Sequence, residues 1–160
     1  MPDFPVNPEA FPTSTRTAAG DVDGIHTDVM VLRFADKIMV TISQGGRLAH
    51  WVHVPLDHPT ADPTSTAAPP TSFEDDADPE DPAANLDLLP MAHLTATTVL
   101  GGTMPERDTA GQLVATQVAS AIATKDPEER RLVVVGMGLE KKDMSREAFV
   151  DVVGLVMGCL

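Results

Sequence analysis

Hydrophobic and polar positions alternate along residues 27–54 (TDVMVLRFADKIMVTISQGGRLAHWVHV) with the period of two that marks half-buried strands. The stretch reads as three consecutive antiparallel strands. A Gly45-Gly46 turn favours a type I′ hairpin, setting Ile42 opposite Ala49, Val40 opposite Trp51 and Ile38 opposite His53. A three-residue loop, Ala35-Asp36-Lys37, sets Phe34 opposite Ile38, Leu32 opposite Val40 and Met30 opposite Ile42. One face then collects Met30, Leu32, Phe34, Ile38, Val40, Ile42 and Trp51, the expected core. A slip of one residue would mix Arg33 and Thr41 into that set, so burial selects the register. The other face carries Val29, Val31, Met39, Thr41, Leu48, His50 and Val52. A sheet with one buried and one half-apolar face predicts a protein that uses the second face, or an edge, for a partner.

Flanking patterns complete the fold. Residues 13–19 alternate weakly as a first strand, with a turn at Gly20–Gly24. Residues 93–100 (HLTATTVL) read as a strand ending at Gly101-Gly102. Residues 106–125 form a helix with an apolar stripe of Leu113, Val114, Val118, Ala121 and Ile122. Acids near its start and Lys125 near its end suit the helix dipole, and Asp126-Pro127 stops it. Residues 131–138 (RLVVVGMG) form a strand apolar on both faces, hence central. Ser145 is the N-cap of a last helix over 146–160, with Phe149, Val152, Val153, Val156 and Leu160 on one side. This order predicts an α+β fold, a six-stranded mostly antiparallel sheet packed with two helices. The small residues of the first helix, among them Ala115 and Ala119, permit close packing. They compete with Val29, Val31, Met39, Leu48 and Val52 on the sheet as the partner interface.

Composition sets the domain plan. At 160 residues, 42% apolar, the chain is long enough for one core. Residues 1–12, with four prolines and no periodicity, read as a flexible tail. Residues 13–160 read as a single domain. Residues 57–90 hold seven prolines, nine of the 24 acids, one aromatic and none of the 11 Lys and Arg. Such a segment buries too little apolar surface to offset its ordering entropy, and is expected as a disordered acidic insert. A body tolerates it, since each doubling of loop length costs only about 0.6 kcal/mol. Of the net charge of −13, the rest of the chain carries −4, with 11 bases against 15 acids. No basic patch argues for nucleic acid, and no apolar run suits a membrane span. The N-terminus lacks the basic-then-apolar pattern of a secretory signal, and the single Cys159 fits a reducing compartment, cytoplasm or nucleus.

The residues compose no recognisable catalytic constellation. His50 and His53, three apart on a strand, point to opposite faces and cannot share a metal ion. Gly136-Met137-Gly138 lacks the third glycine of a dinucleotide fingerprint, since Lys141 stands there. Cys159, at the end of an apolar helix, reads as a small buried or interface residue. The acids cluster in the insert, where no scaffold fixes a general acid–base pair. Catalytic residues, metal ligands and cofactors are therefore expected to be none.

The joint pattern resembles that of a known family. The meander TDVMVLRFADKIMVTISQGGRLAHWV, the strand TATTVLGG, the helix around QLVATQVASAIA, the strand RLVVVGMGLEKKDMS and the helix EAFVDVVGLVMGCL follow in order. They resemble the proteasome assembly chaperone 3 family over about residues 13–56 and 92–160. The resemblance implies a non-catalytic chaperone that pairs with a proteasome assembly chaperone 4-like protein and binds α-type subunits of the 20S proteasome. It also implies a role in early α-ring formation and release before maturation. A homodimer is expected where the partner is absent. The residues alone leave two alternatives, a generic dimerising scaffold or adaptor of similar fold and a small enzyme with a cryptic site.

Overall fold

The structure, a computed structural model, describes residues 14–57, 91–141 and 143–160. The expected tail at 1–12 lies outside the described residues, as does nearly all of the acidic insert expected at 57–90. Six strands and two helices follow in the order β1 (Ser14–Val22), β2 (Ile25–Arg33), β3 (Lys37–Gln44), β4 (His50–Pro55), β5 (Thr97–Leu100), α1 (Pro105–Lys125), β6 (Leu132–Gly138) and α2 (Arg146–Cys159). The strands form one sheet ordered β1-β2-β3-β6-β4-β5. All pairs are antiparallel except β3 with β6, so the α+β fold, a mostly antiparallel sheet with two helices, is the one read from the sequence.

Two features of the meander differ from the expectation. The Gly45-Gly46 turn has the positive φ of a type I′ turn at both residues (61° and 70°), yet β3 and β4 do not pair. Strand β6 lies between them, parallel to β3 and antiparallel to β4. Its Val133–Val135 run is buried on both sides of the sheet, which is the reason it occupies the centre. The connection after the turn passes over the end of β6, where Ala49 N donates to Met137 O.

The second difference is the β2–β3 register, which is shifted by one. Phe34 N donates to Lys37 O, closing a two-residue turn at Ala35-Asp36 in place of the three-residue loop. Val31 then pairs with Val40 and Arg33 with Ile38. This turns Val29 and Val31, each 1% exposed, to the core, and Met30, 36% exposed, with half-buried Leu32, to the other face. On β4, likewise, Val52 and Val54 are buried in the core and Trp51 faces outward. The face assignment holds for β3 (Ile38, Val40, Ile42) and is inverted for β2 and β4. Both faces of β2 are apolar, so hydrophobicity alone did not select its register.

Helix α2 packs on β1 and β2, and α1 on β4, β6 and β5, all on the Val29–Val31 side. Ser145 Oγ accepts from Ala148 N at 3.0 Å, the expected cap. In α1, Val114, Val118 and Ile122 face the core as the periodicity implies, while Leu113 is exposed. Gly111, Ala115, Ala119 and Ala123 fill the remaining inward positions and bring the helix axis close to the sheet. Cys159 is buried at the end of α2, and burial pushes its thiol above the usual range.

Candidate functional site

With both helices on one side, no described element covers the opposite face of the sheet. The registers arrange that face in two adjacent cross-strand rows. One runs Thr17, Met30, Thr41, Gly136, Trp51, Leu100. The other runs Thr15, Leu32, Met39, Val134, His53, Thr97. Six apolar side chains therefore lie side by side across five strands: Met30, Trp51 and Leu100 in one row, and Leu32, Met39 and Val134 in the other. Gly136 is what admits the tryptophan: a Cβ there would come 2.8 Å from the Trp51 ring. The ring lies on bare backbone in the row of Thr41, which is itself buried although no helix reaches it. Of the six, Met30 and Leu100 are exposed, Leu32, Met39 and Trp51 half-buried and Val134 buried, and apolar side chains grouped on an uncovered face in this way mark interaction surfaces.

Of the residues expected at an interface, Val29, Val31, Val52, Ala115 and Ala119 lie inside this chain's own core. The one-residue register shift carries the two β2 valines inward. Insertion of β6 turns Val52 inward, and the close approach of α1 buries its two alanines. Met39 lies on the open face, half-buried. Leu48 is 40% exposed but sits in the connection that passes over β6, outside the two rows. Met30, Leu32 and Trp51, expected in the core, lie on the open face together with Leu100. The chain offered one signal on β2: its β-branched residues Ile25, Thr27, Val29 and Val31 recur at every second position, and Met30 and Leu32, not branched at Cβ, alternate with the two valines.

A polar cluster occupies the helix side near the ends of β4 and β5. His50 is 3% exposed, and its Nε2 lies 3.1 Å from Asp108 Oδ1 and 3.4 Å from Thr98 Oγ1. The Thr98 hydroxyl donates to the same carboxylate oxygen. Gln112 Nε2 donates to Asp108 Oδ2 at 3.0 Å and to Thr98 Oγ1 at 3.1 Å. These bonds tie β4, β5 and α1 together through one carboxylate. The other edge of the imidazole packs against Gly111, where a Cβ would clash with it. His53 lies on the opposite face, as its spacing from His50 implies.

Beside this cluster, a cleft of about 170 Å³ opens between the first turns of α1, the start of β4 and the segment joining β6 to α2. Met104, Met137, Leu139 and Met144 supply apolar walls, and Arg107 and Lys141 the charge. Among the described residues, no group of three His, Cys, Asp or Glu is placed to hold a metal ion, and no helix is long and apolar enough to cross a membrane.

No protein-family model matches the sequence, and no curated protein matches it. Among solved structures, the chain is similar to one in the crystal structure of a novel chaperone complex for yeast 20S proteasome assembly. The two are 12% identical, with a TM-score of 0.51 over 92% of this chain and 97% of that one. At that identity the likeness is one of fold.

Proposed function

We propose that this chain is a non-catalytic assembly chaperone for the 20S proteasome. It acts as a heterodimer with a structurally similar chaperone, a proteasome assembly chaperone 4-like protein. The pair binds α-type subunits and promotes early α-ring formation in the cytoplasm or nucleus. The observation that carries this reading is the open sheet face with its two apolar rows. At a strand spacing of about 4.8 Å and a rise of about 3.3 Å per residue, the two rows lie about 7 Å apart and their apolar residues run roughly 19 Å across the sheet. That is the dry centre of a stable interface, which buries about 800 Å² per partner. A second sheet of the same kind packs on such a face at about 10 Å, side chains interdigitating. The fold likeness to a chain of a proteasome-assembly chaperone complex supports the choice of client.

The same face would serve a generic dimerising scaffold, so the client has to be identified directly. The test is mass spectrometry of a tagged pull-down from cells of the source, with wild type beside Met39→Glu. Expected are α-type proteasome subunits and a second small chaperone with the wild type. The second chaperone should be lost from the variant, once circular dichroism shows that the variant is folded. A pull-down rich in other partners and free of proteasome subunits sinks the proteasome reading and leaves the scaffold.

A further inference from the structure

We propose that the cleft beside the first turns of α1 is a second docking site, independent of the open sheet face and of the proteasome reading. Its occupant is the C-terminus of a partner polypeptide that presents an aliphatic or methionine side chain next to its free carboxylate.

The charge in the cleft points to the carboxylate. Arg107 Nε is buried with no acceptor in the structure, and the guanidinium makes one long bond, from Nη2 to Glu140 O at 3.5 Å. A guanidinium is always charged and carries five donors in a fork that matches a carboxylate, and a buried donor without an acceptor is costly. No described acid answers it. Asp108 is taken by His50, Thr98 and Gln112. The Glu140 side chain turns toward Gly45, and Glu106 is exposed in the first turn of α1. Lys141 on the far side is paired with Asp23, Nζ to Oδ2 at 3.4 Å. Arg107 is thus the cation of the cleft without a carboxylate partner. The start of α1 adds to this, since Met104 at the N-cap gives no side-chain acceptor to the first N–H groups.

The walls point to the apolar side chain. Three methionines and Leu139 surround the space, and methionine adapts its shape to what it contacts. A volume of about 170 Å³ falls short of the roughly 300–1,000 Å³ of small-molecule pockets, and suits one side chain and its carboxylate. Gly101 and Thr103 line the cleft at the end of β5.

The minimal probe is N-acetyl-leucine, with N-acetyl-leucinamide as its uncharged control, titrated into the full ¹⁵N-labelled chain and followed by amide shifts. A ligand of a dozen heavy atoms is expected to bind with a Kd on the order of 1 mM. The acid should shift the Gly101, Arg107, Gly111 and Gly138 amides saturably, and the amide should bind roughly tenfold more weakly. Arg107→Gln should bring the two probes to equal affinity, and Ala110→Leu, which fills the cleft, should abolish the shifts of both. Absence of saturable shifts at the cleft overturns the proposal. So does equal binding of acid and amide to the wild type, or a shift pattern confined to the open sheet face.

Discussion

Two single residues control much of the local geometry, and each gives a measurable consequence. Gly136 is needed for the missing Cβ that lets Trp51 lie flat on β6. Gly136→Ala should displace the ring and cost about 1–3 kcal/mol, the range for overpacking a fitted site. Trp51 is the one tryptophan of the chain, so iodide quenching of its fluorescence reports the displacement directly. Unchanged quenching and stability would show that the ring does not rest on the glycine. At the other end of β6, Glu129 receives the Arg131 guanidinium, which donates also to Phe34 O and so ties the α1–β6 segment to the β2–β3 turn. Arg131 holds the Glu129 carboxyl at about 2, against an ordinary value near 4.5. A depressed carboxyl stabilises the fold above its unfolded value and ceases to as pH falls through its folded one. The pair's contribution, on the order of 2–3 kcal/mol, should therefore be complete above about pH 4.5 and vanish toward pH 2. Urea unfolding across that window should show a shallower pH dependence for Glu129→Gln than for wild type. Parallel curves would remove the linkage.

At the scale of elements, the decisive event is the entry of β6 between β3 and β4. The turn and connection at 45–49 do not close a hairpin but bridge a gap one strand wide. Gly138, at the end of β6, lies directly beneath the backbone of Arg47, where any Cβ would collide with main-chain atoms that cannot swing aside. Gly46 also has left-handed φ, but nothing lies within 4 Å of its Cβ position. Gly138→Ala should accordingly cost more than about 2 kcal/mol, and Gly46→Ala only about 1 kcal/mol from backbone strain. Thermal unfolding of the two variants decides it. Equal losses would mean that β4 can move away from β6 without penalty, contrary to the described pairing.

For the molecule as a whole, the sheet separates two tasks. One side is closed by α1 and α2 around the core, and the other presents apolar rows with nothing described above them. A purified chain without its partner should cover these rows with a second copy of itself. We expect reversible dimerisation in sedimentation velocity, abolished by Met39→Glu with the circular dichroism spectrum unchanged. A wild-type chain that sediments as a monomer throughout the micromolar range would show that the face is too weakly apolar to associate with its own kind. Val31→Glu and Ala115→Glu, by contrast, place a charge in the closed core and should prevent folding, so neither can report on an interface.

Local pattern determined which segments became strands and helices. The Ser145 cap, the Asp126-Pro127 stop, the small residues of α1 and the doubly apolar β6 each act within a few residues, and all are legible in the chain. The position of β6 in the sheet was only half legible. Its apolar run demanded a central slot, but which neighbours it took depended on strands more than 75 residues earlier. The faces of β2 were not legible, because Val29 and Val31 alternate with Met30 and Leu32, and either pair satisfies a hydrophobic core. The register that decides the exposed rows goes with a two-residue turn at Ala35-Asp36, closed by Phe34 N donating to Lys37 O. Likewise, Arg107 and the three methionines of the cleft come from separate segments with no shared motif. Only their convergence in space makes a site, since sequence spacing records neighbours along the chain and not across the fold.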